Sequence, residues 1–177
     1  MNFLYDLAKA VQLHEGFYPG SLSYRNNNPG NLRGKRGAFM QFPTYEEGLI
    51  ALKYDLKMKI DGEAGSIQRF CKSTGIPYER VTFLDMISIY APSADHNNPI
   101  QYCDVLVSQL PNYNLRPATP LFVMAALIRG EKATKAPEMT YEQKRDAAIR
   151  AKKWASPARN AMLMRLIQRL QVLMRLV

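Results

Sequence analysis

Helix-start signals recur along this chain, and each stands just before a run of regularly spaced apolar residues. A Thr or Asn at such a position caps the first turn of a helix, and an acidic residue three positions later completes a capping box. Thr44 and Glu47 form such a pair, ahead of an amphipathic run that Gly62 closes. The chain is therefore predicted to be mainly helical, and further start signals are Thr82 with Asp85, Asn98-Pro99, Thr119-Pro120, whose helix ends at Gly130, Thr140 with Gln143, and Ser156-Pro157.

One short segment departs from the helical pattern. Between Asn31 and Phe42, the sequence Gly34-Lys35-Arg36-Gly37 has the composition of a turn and separates two short segments, the second of which is residues 38–42. This arrangement predicts a small β-hairpin. The expected fold class is therefore mainly α, as a helical body with one small β-hairpin.

The first apolar helix stripe of the chain ends with an acidic residue. Leu4, Leu7, Ala8 and Val11 share one helix face, and Glu15 lies about 40° from Val11 on an ideal helix. Partial burial disfavours the charged form of a carboxyl group, and a general acid must hold a proton near neutral pH. Glu15 is therefore the candidate catalytic acid, and the alternative is that it simply ends a solvated helix.

A loop rich in amide side chains begins ten residues after Glu15 and reads Arg25-Asn26-Asn27-Asn28-Pro29-Gly30-Asn31. An Asn side chain offers donors and an acceptor without charge, which suits the hydroxyl and N-acetyl groups of amino sugars. Asn, Pro and Gly are also the residues that turns favour, so some of these Asn residues are expected to be structural. The candidate substrate-binding residues of this loop are Arg25, Asn26, Asn27, Asn28 and Asn31.

These stretches resemble the phage virion-associated murein hydrolases of the lysozyme-like superfamily, including the lytic enzymes of enveloped double-stranded-RNA phages. The resemblance covers residues 1–130 approximately and rests on residues 14–17, 25–33 and 42–48, followed by Tyr90-Ala91-Pro92, Asp95, Asn97-Asn98 and Tyr102. It implies a goose-type lysozyme or lytic transglycosylase fold, of α+β lysozyme-like type. The hairpin would then lie beside the active-site cleft, and Glu15 would be the single catalytic glutamate.

The second signature of this resemblance adds two candidate residues. Tyr90 could supply a stacking or hydrogen-bonding face for a sugar, and Asp95 is the candidate second carboxylate. The chain reads Ala94-Asp95-His96-Asn97-Asn98 here, whereas the relatives often place an acidic residue directly before a single Asn. Because of this departure, the resemblance by itself does not fix the roles of Asp95 and His96.

The resemblance implies a peptidoglycan hydrolase that cuts the β-1,4 bond between N-acetylmuramic acid and N-acetylglucosamine. Such an enzyme is a lytic transglycosylase or a lysozyme, used by a phage for cell-wall penetration or for lysis. Two alternatives stay open. One is a murein endopeptidase that cuts the peptide cross-link, and the other is a non-catalytic structural virion protein that binds wall and membrane.

The few cysteine and histidine residues bear on whether the chain has a metal site, a disulfide or a cysteine nucleophile. The chain has two of each and no His-Glu-x-x-His motif, so we predict no metal site and no cofactor. Cys71 and Cys103 do not make a disulfide framework in a chain of this size and are expected to be buried as small hydrophobic residues. A cysteine peptidase built on Cys71 and His96 matches no expected spacing.

Positive charge is concentrated near the C-terminus. The formal net charge is +9, and residues 150–177 carry seven basic side chains and no acidic one. We predict a catalytic domain over residues 1–130, a linker over 131–140 and a basic helical appendage over 141–177. Residues 156–177 have arginines opposite a leucine stripe, which favours an anionic membrane surface or a virion partner over nucleic acid. The alternative is that this helix packs on its own domain.

The N-terminal segment does not have the composition of a secretory signal, because Asp6 interrupts it and it lacks a continuous apolar core. The chain also lacks the run of about 18 apolar residues that spans a membrane. We therefore expect a protein carried by a phage virion, or passed through a separate membrane pore, that acts on peptidoglycan in the host periplasm.

Overall fold

The computed structural model describes residues 2–34, 37–93 and 97–131. Within these ranges the α-helices are α1 Phe3–His14, α2 Leu22–Arg25, α3 Tyr45–Ile60, α4 Gly65–Thr74, α5 Phe83–Tyr90, α6 Pro99–Gln109 and α7 Leu121–Ile128. Short 3-10 helices span Tyr78–Arg80 and Pro111–Tyr113. The prediction of a mainly helical fold is confirmed. The predicted appendage over 141–177 lies outside the described residues, as does all but the first residue of the predicted linker.

The predicted helix starts that fall within the described residues are confirmed, although their capping chemistry differs. The Thr44 hydroxyl accepts a hydrogen bond from the Glu47 backbone N–H at 3.2 Å. Thr82 and Asp85 form a full reciprocal capping box, which accounts for the acidic side chain. By contrast, α7 begins without a side-chain cap, because Thr119 accepts from the Arg116 N–H instead, at 2.8 Å, within the preceding loop.

The predicted β-hairpin is not supported, since the described residues of this segment form no pair of strands. Arg33 and Phe39 make an isolated antiparallel bridge. The buried Asn28 side chain donates to the carbonyl oxygens of Leu32 and Met40, both at 2.9 Å, and accepts from the Leu32 N–H at 2.8 Å. Backbone hydrogen bonds from Gly34 N–H to the Ala38 carbonyl at 2.9 Å and from Met40 N–H to the Leu32 carbonyl at 2.8 Å also join the two segments, but the pairing does not extend beyond the isolated bridge.

The core surrounds α1, which packs against α3, α6 and α7, while α5 packs against α6 and α4. Side chains from these helices are fully buried at the centre, among them Leu7, Val11, Leu52, Leu56, Met86, Leu106 and Met124. This packing holds the C-terminal end of α1 in place, and with it Glu15. None of the described helices is both long enough and apolar enough to cross a membrane.

The Asn-rich loop lies directly on the first turns of α3. An added Cβ at Gly48 would stand 1.8 Å from the Asn27 carbonyl oxygen and 3.0 Å from Pro29 Cδ. The Asn27 side chain donates to the carbonyl oxygens of Phe42 and Pro43 at 3.0 and 3.2 Å, and its backbone is left-handed with φ of 49°. Asn is among the residues that tolerate this conformation best. Helix α3 therefore supports the loop that reaches Glu15.

Candidate active site

Glu15 is the first residue after α1, and both oxygens of its side chain are hydrogen-bonded. Tyr102 Oη donates to Oε1 at 2.8 Å, and Asn31 Nδ2 donates to Oε2 at 2.9 Å. The Glu15 backbone N–H continues the helical pattern by donating to the Val11 carbonyl at 2.9 Å. The helix end and two distant segments of the chain thus converge on one partly buried carboxyl group.

Tyr102 is a buried residue of α6 whose hydroxyl serves as a fixed donor. Its ring packs against His14, with ring centroids 3.7 Å apart, and against Tyr90, with centroids 6.3 Å apart. Burial, with the charge of Glu15, raises the pKa of Tyr102 far above its ordinary value. The hydroxyl therefore keeps its proton and can donate it to a hydrogen bond with Glu15.

Glu15 lies in the wall of a groove of about 350 Å³. This volume is at the lower end of the range for pockets that take small ligands. The polar and aromatic side chains that line the groove with Glu15 are Asn31, Arg33, Asp55, Lys59, Ser66, Asn97, Phe39 and Tyr90. Donors, acceptors and flat apolar faces are the groups that bind a sugar.

Tyr90 joins the groove to the Asn-rich loop. Its hydroxyl donates to the Gly30 carbonyl, and an added Cβ at Gly30 would stand 2.8 Å from that hydroxyl and 2.5 Å from Leu52 Cδ1. Burial, together with the charges of Glu15 and Asp55, raises the pKa of Tyr90 well above its ordinary value. Tyr90 thus presents a ring to the groove while its hydroxyl anchors the loop.

The other predicted residues of the loop lie away from the groove wall. Arg25 is exposed and donates to the Gly20 carbonyl at 2.5 Å. Asn26 is buried, and its carbonyl accepts from the Phe42 N–H at 2.9 Å. The side chains of Asn27 and Asn28 bond to backbone groups, as described above. In this arrangement Asn31 is the amide of the run that reaches Glu15, and the others support the loop.

The residues that escape prediction from the sequence include Tyr102, which bonds to Glu15, and Asp55 and Lys59, which line the groove. Tyr102 carries part of the family resemblance, but its contact with Glu15 spans 87 positions and has no local signal. For Asp55 and Lys59 the sequence gives only a weak indication of a site. It lies in Lys59, because a lysine is rarely found on the same helix face as buried leucines. Of the second predicted signature, Asn97 lines the groove, while Asp95 and His96 lie outside the described residues.

The two cysteines differ in exposure, and both are free thiols. Cys103 is buried, as predicted, and burial raises the pKa of its thiol. Cys71 is only partly buried, and burial raises the pKa of this thiol as well. Within the described part of the chain, His, Cys, Asp and Glu side chains form no group of three that could hold a metal ion.

We expect the His14 imidazole to titrate below its ordinary pKa of 6.5. Although the residue as a whole is exposed, its ring packs on Tyr102, and this partial burial lowers the pKa by more than neighbouring Glu15 raises it. Protonation of His14 is therefore less favourable in the folded state than in the unfolded state. As a result, the contribution of His14 to the free energy of unfolding is largest at pH values above 6.5 and decreases as the pH falls below that value. NMR titration should give the midpoint, with His14→Gln assigning the signal against His96. A midpoint at or above 6.5 would contradict the packing of the His14 ring on Tyr102.

Comparisons with protein families, with curated proteins and with solved structures found no match to this chain. The resemblance to phage murein hydrolases therefore rests on the residues quoted above. The function of the site is inferred from those residues together with its geometry.

Proposed function

We propose that this protein is a phage-encoded lytic transglycosylase that cuts the β-1,4 bond between N-acetylmuramic acid and N-acetylglucosamine. The observation that carries the proposal is the Glu15 carboxyl group, held by the neutral donors Tyr102 and Asn31 in the wall of a polar groove. Among the described residues, no ion pair joins Glu15 to a Lys or Arg. Both hydrogen-bond partners of the carboxyl group are therefore uncharged side chains.

The two hydrogen bonds leave Glu15 free to exchange a proton with a ligand. A carboxylate has about four lone-pair sites, and the bonds from Tyr102 and Asn31 take one on each oxygen. A proton on a remaining site can pass to the glycosidic oxygen of a glycan in the groove. The same two donors then stabilise the carboxylate that this transfer leaves behind.

In the proposed reaction Glu15 acts first as an acid and then as a base. It protonates the glycosidic oxygen as the bond to C1 of the muramoyl residue breaks. The carboxylate then removes the proton from the C6 hydroxyl of the same residue while that oxygen bonds to C1, which forms a 1,6-anhydro ring and restores the acid. In a lysozyme, the carboxylate would activate water for attack on C1 instead.

A murein endopeptidase is the second candidate enzyme, since it acts on the same polymer. A cysteine nucleophile needs an accessible thiolate beside a base. Because Cys103 is buried and Cys71 is partly buried, these thiols give little support to a cysteine endopeptidase. A non-catalytic virion protein that binds wall and membrane would have no need to bond both oxygens of a carboxyl group in a groove. The proposed phage origin, the periplasmic site of action and an attachment role for residues 156–177 rest on the sequence.

Mass spectrometry of digested peptidoglycan distinguishes these functions. We expect the full-length protein to release muropeptides that end in 1,6-anhydromuramic acid from purified sacculi, because the C6 hydroxyl serves as the nucleophile. Reducing muramic ends would identify a lysozyme, while new free peptide termini without glycan cleavage would identify an endopeptidase and contradict the proposal. Sacculi incubated with the Glu15→Gln protein provide the background.

A further inference from the structure

A second cavity, the α1 cavity, lies on the side of α1 opposite to Glu15. Its volume is about 740 Å³, within the range of about 300 to 1,000 Å³ in which small ligands bind. Asp6 lines this cavity and stands about 180° from Glu15 on an ideal helix. Among the described residues, none lines both the α1 cavity and the groove that contains Glu15. The α1 cavity is therefore a separate place for a ligand.

Apolar faces and polar side chains are combined in the wall of the α1 cavity. Leu13, which is 70% exposed, and Phe17 come from the C-terminal end of α1 and the turn after it, and Tyr113 comes from the 3-10 helix that follows α6. The polar side chains in the wall are Asp6, Lys9, Gln12, Gln109 and Asn112. Ligand sites have this combination, because apolar faces supply burial while a few polar groups fix the orientation of the ligand.

The two charged residues of the α1 cavity are held apart. Asp6 and Lys9 have a spacing at which opposite charges can pair on a helix, but each bonds to a different tyrosine. Asp6 Oδ2 accepts from Tyr113 Oη, while Lys9 Nζ donates to Tyr45 Oη and to Gln12 Oε1, both at 2.9 Å. Among the described residues, no ion pair joins Asp6 or Lys9 to an opposite charge. The cavity thus has a negative and a positive point.

Each charge keeps hydrogen-bonding capacity for a ligand. The Lys9 ammonium has three donors, and its bonds to Tyr45 and Gln12 use two of them. The Asp6 carboxylate has about four lone-pair sites, and its described bond is to Oδ2 alone. Gln109 Oε1 is buried and has no hydrogen-bond partner in the described part of the chain. A Gln amide can turn towards a ligand, because rotation about its terminal bond is soft.

Local structure explains one of the two charges but not the other. Asp6 lies in the first turn of α1, where the helix dipole favours an acidic side chain. Lys9 is partly buried, and its described hydrogen bonds go to neutral acceptors. Burial of an ammonium group without a counter-ion is costly. This favours a ligand that brings a negative group to Lys9.

The ligand that fits the α1 cavity carries a positive and a negative group on different parts of an extended, partly apolar molecule. A neutral glycan would leave both charges without a counter-ion, and a phosphate would be repelled by Asp6. A short peptide with a free amino group and a free carboxylate on different residues can place its ammonium at Asp6 and its carboxylate at Lys9. Its methyl and methylene groups can pack on Leu13, Phe17 and Tyr113.

We propose that the α1 cavity binds a stem peptide of peptidoglycan that is not cross-linked. Such a peptide carries a free amino group on its diamino acid and a carboxylate on its terminal alanine. The assignment to a stem peptide rests on the proposed function and deepens it, by adding a second contact with the same polymer. The α1 cavity only binds, and no bond is made or broken there. Because the cavity and the groove share no described lining residue, both can be occupied at once.

The test measures binding of a stem tetrapeptide to the full-length protein by calorimetry. The N-terminus of the tetrapeptide is acetylated, since the lactyl group of muramic acid occupies that amino group in peptidoglycan. One derivative has the amino group of its diaminopimelate acetylated as well, and another has its carboxylates amidated. We expect each derivative to bind about tenfold more weakly than the tetrapeptide, which corresponds to about 1.4 kcal/mol. Equal Kd values for the three peptides would overturn the inference without any change to the protein.

Two variants locate the binding in the α1 cavity. Asp6→Asn keeps an oxygen that can accept from Tyr113, and Lys9→Gln leaves the bond from Tyr45 to Gln12 in place. We expect each variant to bind the tetrapeptide about tenfold more weakly than the parent. The preference for the tetrapeptide over its acetylated derivative should shrink in Asp6→Asn, because the partner of the amino group has lost its charge.

Asp104→Asn and Lys72→Gln are the matched controls, because both residues are exposed and line neither the α1 cavity nor the groove. Both should leave the Kd of the tetrapeptide unchanged. If Asp6→Asn and Lys9→Gln also left it unchanged, the peptide would not bind in the α1 cavity and the inference would be overturned.

Competition separates the α1 cavity from the groove that contains Glu15. In the Glu15→Gln protein, a saturating β-1,4-linked N-acetylglucosamine hexamer should leave the Kd of the tetrapeptide unchanged, and displacement of the peptide would overturn the inference. A wild type that solubilises sacculi but does not bind the tetrapeptide would overturn this inference and leave the proposed function standing. Peptide binding without cleavage of sacculi would overturn the proposed function and leave the peptide-binding cavity.

Discussion

Replacing Glu15 with Gln is expected to lower the rate of peptidoglycan solubilisation by about 100- to 10,000-fold, the usual contribution of general acid–base catalysis. The amide keeps the shape of the side chain but can neither donate nor recover a proton in this reaction. Its oxygen can still accept from Tyr102, and the Asn31 amide can reverse to accept from the new N–H. We therefore expect the rate to fall while the melting temperature stays close to that of the wild type.

Turbidity of purified sacculi gives the rate, and thermal unfolding followed by circular dichroism gives the stability. Glu46→Gln is the matched control, because Glu46 is an exposed glutamate in the first turn of α3 and does not line the groove. It should retain full activity. If Glu15→Gln kept more than about a tenth of the wild-type rate, Glu15 would not be the general acid.

Gly48→Ala is expected to be the most destabilising single methyl addition on the surface between α3 and the Asn-rich loop. The new Cβ would stand 1.8 Å from the Asn27 carbonyl oxygen, which is backbone and cannot move without the loop. Overpacking typically costs about 1 to 3 kcal/mol and occasionally more, and we expect about 3 kcal/mol or more here. For a chain of this size that lowers the melting temperature by about 6 °C or more.

The same substitution should also lower activity, because displacement of the loop carries Asn31 away from Glu15. Gly34→Ala is the matched control, since an added Cβ there meets nothing closer than 3.9 Å. Urea unfolding of the two variants and the wild type gives the free energies of unfolding. Gly48→Ala as stable as Gly34→Ala would mean that the loop does not rest on α3 as the structure has it.

Much of the helical fold could be predicted from local sequence, because a helix start is decided within one turn. Thr44 and Thr82 cap the helices that follow them, as their spacing to Glu47 and Asp85 predicts. Helices α2 and α4 lack such strong signals, and α4 begins at Gly65 without any side-chain cap. The hairpin prediction is not supported, because a turn composition does not show how far the pairing on either side of it extends.

The sequence by itself determined that the chain is mainly helical, that an apolar helix stripe ends with Glu15, and that an amide-rich loop follows. These are properties of neighbouring residues, since helix periodicity and turn preference act over a few positions. Only the tertiary structure decided which amides support the loop and which one reaches Glu15. It alone placed Tyr102 on the Glu15 carboxyl and brought Asp55 and Lys59 into the same groove, because packing of α1, α3, α5 and α6 joins positions that no local pattern relates.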